Sequence, residues 1–284
     1  LYVLKGVSMY AHRAAALGAR DRDLDVFVVE ALFTTITNVN FDPDRLRGLI
    51  DTAVQFRARA KEMYEAACVE AGKTPEQLDG PATFTPAADI LGILAQADQI
   101  GIHTRQESLG EDITGLQELV MYGLKGMAAY ADHAQILGHE SDKAYAFFHE
   151  MLDLLARTEI TLDELLAAAL KVGEVNLEVM GLLDAANTGT YGDPTPTAVR
   201  IHPLKGKAIV VSGHDLKDLE ELLKQTEGKG IWVYTHGEML PAHGYPGLNK
   251  YPHLAGNYGG AWQDQQKEFD AFPGAILMTT NCIQ

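Results

Sequence analysis

The hydrophobic pattern of this chain changes period near residue 190, and that change limits the possible folds more than any other feature. After it, short runs of β-branched and aromatic residues alternate with helix-like segments. The sequence therefore predicts an α region followed by an α/β region. Before residue 190, apolar residues recur at helical spacing, as in Leu24, Phe27, Val28, Ala31 and Leu32, and again in Leu152, Leu155, Leu162, Leu165 and Leu166.

The second region has the pattern of a βαβαβ unit. Strands are predicted at about 207–212, 230–235 and 275–280, with helices at about 215–226 and 260–271. Such a pattern implies parallel strands with right-handed crossovers. The strands are apolar on both faces, which is typical of a sheet covered by helices on both sides. We expect a Rossmann-like parallel α/β domain.

A turn-rich segment, Asn187 to Pro196, separates the two regions. Its Gly, Pro, Asn and Thr residues are typical of a linker. The predicted domains are therefore a helical domain over residues 1–195 and a truncated Rossmann-like domain over residues 196–284.

The helical region contains an internal repeat at an offset of 120 residues, because residues 4–18 align with residues 124–138. Leu-Lys-Gly, Tyr-Ala and Leu-Gly recur in the same register within the two segments. The repeat predicts duplicated helical bundles, and the alternative is chance similarity between alanine-rich helices. Further matches at the same offset are Glu30 with Glu150, Leu32 with Leu152, and Leu46 with Leu166.

Each of the three predicted strands is followed by a residue that can bind a transition metal. These residues are His214, Glu238 and Cys282. The carboxyl ends of parallel strands share one edge of a sheet, so the three side chains are expected to converge there. An imidazole, a carboxylate and a thiolate together favour iron, zinc or a mixed metal–sulfur centre. Taken singly, they read equally as a helix cap, a solvated acid and a small buried residue.

The other histidines offer weaker patterns. His236 and Glu238 resemble the His-x-Glu of zinc deaminases, but the chain has no later Cys-x-x-Cys. His243 and His253 could shape a pocket or donate protons, although at least one is expected to be structural. No phosphate-binding loop or dinucleotide fingerprint is present. Surface or packing roles are expected for His12, His103, His133, His139, His149 and His202.

Composition restricts the partners. The formal net charge of −16 argues against binding to nucleic acid or an anionic membrane. No apolar run approaches the roughly 20 residues that span a bilayer, and no signal peptide is evident. The two cysteines, Cys68 and Cys282, do not form a disulfide framework, and Cys68 is expected in the helical core. These features predict a soluble cytoplasmic protein whose partners are small molecules or redox proteins.

Several longer motifs resemble the hybrid cluster protein family, also called prismane proteins. The resemblance covers essentially the whole chain. The motifs are Val-Ser-Gly-His-Asp-Leu-Lys-Asp-Leu at 211–219, Val-Tyr-Thr-His-Gly-Glu-Met-Leu-Pro at 233–241, Gly-Asn-Tyr-Gly-Gly at 256–260, Thr-Thr-Asn-Cys at 279–282, Thr-Ile-Thr-Asn-Val-Asn at 35–40 and Tyr-Gly-Leu-Lys-Gly at 122–126.

The resemblance implies a helical domain, two Rossmann-like domains and a hybrid iron–sulfur–oxygen cluster where the domains meet. It implies that His214, Glu238 and Cys282 are cluster ligands. It also implies, less strongly, that Thr37 and Asn38 line the same cavity. The implied activity is that of a hydroxylamine reductase-type oxidoreductase, which reduces hydroxylamine to ammonia or nitric oxide to nitrous oxide under nitrosative stress. A redox protein would supply electrons through a second iron–sulfur cluster of the 4Fe-4S kind.

This chain departs from the family pattern at both ends. No cysteine cluster for the second iron–sulfur centre precedes Leu1, and no second α/β domain with further ligands follows Gln284. We therefore expect a fragment that lacks both ends and is inactive by itself. Two alternatives remain: a zinc hydrolase that uses His214, Glu238 and Cys282, and a nitric-oxide-binding or trans-nitrosylating sensor protein.

Overall fold

The computed structural model describes residues 1–37, 40–280 and 283. It divides into two compact units. The first contains Leu1–Ile36, Asn40–Asp132 and Glu140–Gly181, and the second contains His133–His139 together with the chain from Leu182 onward. The boundary between residues 195 and 196 stays a prediction.

The first unit is helical, as predicted. Its buried apolar residues form one core that draws on helices from both halves of the repeat. Cys68 is a free thiol buried in this core, as the sequence indicated. The helices that lie in this unit or begin in it are α1 Tyr2–Ala15, α2 Arg22–Thr34, α3 Pro43–Glu70, α4 Ile90–Ile100, α5 Ile102–Leu109, α6 Glu111–Ile136, α7 Asp142–Leu154 and α8 Leu162–Tyr191, with a short 3-10 turn at Gly80–Ala82.

Helix boundaries recur at the offset of the sequence repeat. Helix α2 and helix α7 have the same length, and their first residues are 120 positions apart. The turn before each helix contains a glycine with positive φ, Gly18 at 87° and Gly138 at 82°. Each helix is capped by a side chain that accepts backbone N–H bonds, from Asp21 in one case and Ser141 in the other. These facts agree with a duplication.

A duplication predicts related surroundings for Tyr10 and Tyr130, which are equivalent in the repeat, but the two tyrosines differ in burial. Tyr10 is 5% exposed, and its ring centroid lies 6.2 Å from that of Tyr64. Tyr130, at the equivalent position, is 39% exposed. The residue equivalent to Tyr64 is Asp184, so the aromatic partner is not conserved within the repeat.

The second unit contains a four-stranded sheet in which every pairing is parallel. The strand order is β3-β2-β1-β4. Its core lies between the sheet and helix α9, where Leu219 and Leu223 pack with Val211 and Val233. The elements are β1 Lys207–Ser212, α9 Leu216–Thr226, β2 Ile231–His236, a 3-10 segment Gly237–Gly244, α10 Pro246–Asn249, β3 Leu254–Asn257, a 3-10 turn Trp262–Asp264, α11 Gln265–Ala271 and β4 Ala275–Met278.

Three boundaries differ from those predicted. Strand β3 was not expected, because it is short and contains Gly256. A Cβ at that glycine would overlap the carbonyl oxygen of Arg200, so the position requires glycine. The expected helix at 260–271 starts only at Gln265, after a 3-10 turn. Helix α8 continues to Tyr191, into the expected linker, because this tyrosine is buried and its ring meets that of Tyr245 edge-on at 6.2 Å.

Within the part of the chain that the structure describes, none of the helices combines the length and the apolar character needed to span a bilayer.

Candidate metal-ligand site

The two inner strands of the sheet end in register. Ser212, the last residue of β1, pairs with His236, the last residue of β2. His214 and Glu238 each lie two residues beyond these strand ends. The intervening residues are Gly213 and Gly237, with φ of 122° and 56°, a region of backbone space that favours glycine. Each of the two inner strands is thus followed by a glycine with positive φ and then by a candidate ligand.

His214 and Glu238 are in contact. Nε2 of His214 forms a hydrogen bond with a carboxylate oxygen of Glu238. The His214 side chain is 32% exposed and the Glu238 side chain 64% exposed. The structure therefore brings together two of the three predicted ligands, at the carboxyl edge of the sheet and accessible from solvent.

The third predicted ligand, Cys282, and the more weakly implied Asn38 lie outside the described residues. The strand that leads to Cys282 is nevertheless placed, because Met278 at the end of β4 pairs with Ser212. The next residue, Thr279, donates its backbone N–H to the Ser212 carbonyl at 2.9 Å. Thr37 is half-buried, and its role stays a prediction.

Close packing joins the segment after β4 to the segment after β1. A Cβ at Gly213 would overlap Thr279 Oγ1 and approach the backbone of Thr280 within 2.7 Å. Only glycine therefore allows the chain after β4 to lie directly against the chain that carries His214. This contact holds Thr279 and Thr280 at the same edge as His214.

A half-buried contact between His133 and Asp215 fixes the residue after His214. Nε2 of His133, in α6, lies 2.6 Å from a carboxylate oxygen of Asp215, which precedes helix α9. Burial by itself raises the pKa of Asp215, but hydrogen bonds from His133, Thr279 and Thr280 and the charge of His133 bring that pKa below its ordinary value. Asp215 is therefore ionised at neutral pH. His133 was expected to be a surface or packing residue, and this contact gives it a more specific role.

His236 is fully buried and makes hydrogen bonds through both ring nitrogens. Nδ1 lies 3.2 Å from Oγ of Ser212, and Nε2 lies 2.7 Å from a carboxylate oxygen of Glu268 in α11. The ring also packs edge-on against Phe269, with centroids 4.8 Å apart. The sequence offered only one signal for this arrangement, which is that Ser212 and His236 both end strands.

His243 and His253 make contacts within the second unit, away from the candidate ligand pair. His243 is buried and shares a hydrogen bond of 2.9 Å with Thr235, and burial lowers its pKa. His253 lies beside Thr226, at 3.0 Å, next to the first residue of β3 and so at the amino-terminal edge of the sheet. At least one of the two was expected to be structural, and these contacts agree with that expectation.

The donor atoms at the edge suit a transition metal. An imidazole nitrogen and a carboxylate oxygen that already share one proton can instead share a cation, and both are common ligands of iron and zinc. Among residues 1–37, 40–280 and 283, no group of three His, Cys, Asp or Glu side chains could hold a metal ion. His214 and Glu238 thus form a candidate ligand pair.

The fold and the pair together define a class: a parallel α/β protein with candidate metal ligands at the carboxyl edge of its sheet, joined to a helical region. Comparison with known proteins gives the family. The chain belongs to the Prismane/CO dehydrogenase family, which it matches over residues 1–284. The resemblance to prismane, or hybrid cluster, proteins that the motifs indicated is confirmed.

The chain is similar to several proteins named hydroxylamine reductase. It is 56% identical over 284 residues to that of Syntrophobacter fumaroxidans, covering 100% of this chain and 52% of the relative. It is 54% identical to the proteins of Acidiphilium cryptum and Rhodospirillum rubrum, covering 100% and 99% of this chain and 51% of each relative. The chain thus spans about half the length of these relatives.

Proposed function

We propose that this chain forms part of an iron–sulfur oxidoreductase that reduces small nitrogen oxides, either hydroxylamine to ammonia or nitric oxide to nitrous oxide. The observation that carries the proposal is the contact between His214 and Glu238 at the carboxyl edge of the sheet. Membership of the Prismane/CO dehydrogenase family and similarity to hydroxylamine reductases support it.

The proposed cofactor is a hybrid iron–sulfur–oxygen cluster. His214 would bind through Nε2, Glu238 through its carboxylate and Cys282 through its thiolate. A cluster with mixed nitrogen, oxygen and sulfur ligands supplies electrons and an open coordination position for an N–O substrate.

The chain's own residues prepare the site. Asp215, held by His133, fixes the start of α9 and with it the segment that carries His214. Gly213 allows the chain after β4 to approach that segment. Exposure of Glu238 leaves the pair open to a small solute. These residues thus position and expose the ligands.

The proposal extends to features that depend on the whole protein. It includes a second iron–sulfur cluster, a redox protein as electron donor, a cytoplasmic location and the absence of a nucleic-acid partner. It also includes the architecture of duplicated helical bundles followed by a Rossmann-like domain, for which the matching boundaries of α2 and α7 are the support.

The decisive experiment uses the complete gene product that contains this chain, purified without oxygen. His214→Ala and Glu238→Gln should each lower bound iron and reduce the rate of hydroxylamine reduction at least tenfold, because each removes a ligand. His202→Ala and Glu227→Gln are matched controls at exposed positions and should change neither. Normal iron content in both ligand variants would contradict the proposed site.

The same preparation separates the alternatives. Bound zinc without iron, together with hydrolysis, would favour the hydrolase. Bound iron that takes up nitric oxide without turnover in the presence of a reductant would favour the sensor. Turnover of hydroxylamine or nitric oxide with reductant supports the oxidoreductase.

A further inference from the structure

Hydrogen bonds join the strand ends immediately before both proposed ligands. Ser212 and His236 are directly opposite each other in the β1–β2 pair, and their side chains are linked by the contact between Oγ and Nδ1. Each residue is two positions before a proposed ligand. The β1–β2 ladder sets the separation of these two strand ends. Because the spacing is the same on both strands, the side-chain contact reinforces the points from which His214 and Glu238 emerge.

Ser212 also contacts Thr279, the residue that follows strand β4. Its carbonyl oxygen accepts the backbone N–H of Thr279 at 2.9 Å and the hydroxyl of the same residue at 3.2 Å. The Ser212 hydroxyl therefore contacts His236, while the Ser212 carbonyl accepts the hydrogen bonds from Thr279. Removing the hydroxyl alone would leave the β1–β4 connection in place.

Glu268 links the same histidine to the glycine-rich loop. One carboxylate oxygen lies 2.7 Å from Nε2 of His236, and the other accepts the backbone N–H of Gly260 at 2.8 Å. The Glu268 carbonyl accepts the hydroxyl of Tyr258 at 2.8 Å. The side chain thus ties α11, the end of β2 and the loop at 258–260 into one connected set.

The hydrogen bonds of Glu268 use a carboxylate with two acceptor oxygens. Gly260 N–H is always a donor, so the oxygen that it contacts must accept. His236 Nε2 then donates to the other oxygen, and Nδ1 accepts from the Ser212 hydroxyl in the neutral ring. A glutamine at position 268 has one acceptor and one NH2 group. It can satisfy both Gly260 and His236 only if the ring carries its proton on Nδ1 and donates to Ser212, so the substitution reverses the direction of the hydrogen bonds between these residues.

We propose that Ser212, His236 and Glu268 form a positioning chain that sets the orientation of His214 and Glu238. The inference rests on the proposed function, because the pair is the proposed metal site. None of the three residues is a ligand. Outer-shell contacts of this kind typically change metal affinity or activity by about 10- to 100-fold when removed.

The test uses Ser212→Ala and Glu268→Gln in the complete gene product. Each variant should bind iron with about tenfold or greater loss of affinity, or retain iron with a changed electron paramagnetic resonance spectrum. In the second case kcat for hydroxylamine should fall about tenfold with little change in KM. The double variant should lose less than the product of the two single effects, because both act through His236.

His253→Gln is the matched control. It removes a histidine that contacts a threonine hydroxyl in the same unit but at the other edge of the sheet. It should lower thermal stability while leaving the iron affinity, the spectrum and kcat unchanged. If the positioning chain had a purely structural role, Ser212→Ala and Glu268→Gln would behave like His253→Gln. All three variants would then have a lower Tm and a normal iron content in the folded fraction.

Glu238→Gln distinguishes failure of this inference from failure of the proposed function. If Glu238→Gln loses iron while Ser212→Ala and Glu268→Gln keep normal iron, spectrum and kcat, the positioning chain is wrong and the ligand site stands. If Glu238→Gln also behaves as wild type, the ligand site is wrong and the positioning chain falls with it.

Discussion

Gly6 and Gly126 occupy equivalent positions of the internal repeat but have opposite surroundings. A Cβ at Gly6 would overlap the carbonyl oxygen of Pro81. A Cβ at Gly126 would meet no atom within 4 Å among the described residues. The same sequence motif, Leu-Lys-Gly, therefore serves close helix packing in one copy and leaves an open helix surface in the other.

The two glycines form a matched pair for mutation. Gly6→Ala should destabilise the chain by about 1–3 kcal/mol, because backbone at Pro81 must move to admit the methyl group. Gly126→Ala should stabilise it by about 0.5–1 kcal/mol, because alanine is the better helix former. Urea unfolding of the 284-residue chain measures both. Equal effects of the two substitutions would contradict the assigned environments.

A buried polar trio should contribute strongly to the stability of the first unit. His149 lies 2.9 Å from Oγ of Ser8 and 2.9 Å from a carboxylate oxygen of Asp25, and all three residues are buried. His149→Ala should cost about 2–4 kcal/mol, since it removes the hydrogen-bond donor to one Asp25 oxygen, leaves the carboxylate only its 3.7 Å ion pair with Arg20, and creates a cavity. Ser8→Ala should cost only about 1 kcal/mol.

The exposed His103 provides the control for this trio, and His103→Ala should be neutral in the same unfolding measurement. Because Ser8 is fully buried, the trio should also resist serine-directed phosphonate reagents. A larger loss of stability from Ser8→Ala than from His149→Ala would show that the Asp25 carboxylate is not the main source of the destabilisation.

Stability should rise with pH because of Lys5. Burial, with a smaller effect of the Arg105 charge, lowers the pKa of Lys5 to about 8. The unfolded lysine, with a pKa of about 10.4, then binds more protons than the folded one between about pH 8 and 10.4, so this group adds stability as pH increases through that interval.

Lys5→Met removes the cost of burying this charge. It should stabilise the chain at pH 7 by about 1–3 kcal/mol, less the hydrogen bond of 3.0 Å from Nζ to the Leu155 carbonyl. The gain should disappear above about pH 10. Unfolding at several pH values tests this, with the exposed Lys73→Met as control. A gain that is independent of pH would show that Lys5 is not titrating as described.

The 284-residue chain by itself should hold little cluster. It offers His214, Glu238 and Cys282 as proposed ligands, and clustered polar donors need a metal with a full ligand set to be stable. After anaerobic reconstitution with iron and sulfide, we expect little stable hybrid-cluster signal and negligible hydroxylamine reduction. The complete gene product should show both. A full cluster and normal turnover in the 284-residue chain would contradict this ligand count.

Sequence patterns predicted the part of the fold that depends on strong local periodicity. The helical first region and strands β1, β2 and β4 are as expected, because long apolar patterns specify them. Strand β3 escaped prediction because its four residues include a glycine and an asparagine, whereas the four residues of β4 are all apolar. Its place in the sheet depends on pairing with β2, a long-range contact that local sequence does not record.

The candidate site was predicted only in part, for a similar reason. The residues that follow strand ends can be read from the sequence, so His214 and Glu238 were identified. The partners of His236 and Asp215 could not be, because Glu268 and His133 come from helices distant in sequence. A hydrogen bond between such residues depends on how elements pack and leaves no fixed spacing to recognise.

The strand order also has a kinetic consequence. Strands β1 and β2 lie inside the sheet, whereas β4 lies at its rim and is paired through β1. Amide protons of β4 should therefore exchange with solvent before those of β1 and β2. His214 and Glu238 follow the inner strands, whereas the proposed thiolate ligand Cys282 follows the rim strand in sequence. Exchange at β4 would therefore report how often the strand before Cys282 opens, independently of the strands before the pair.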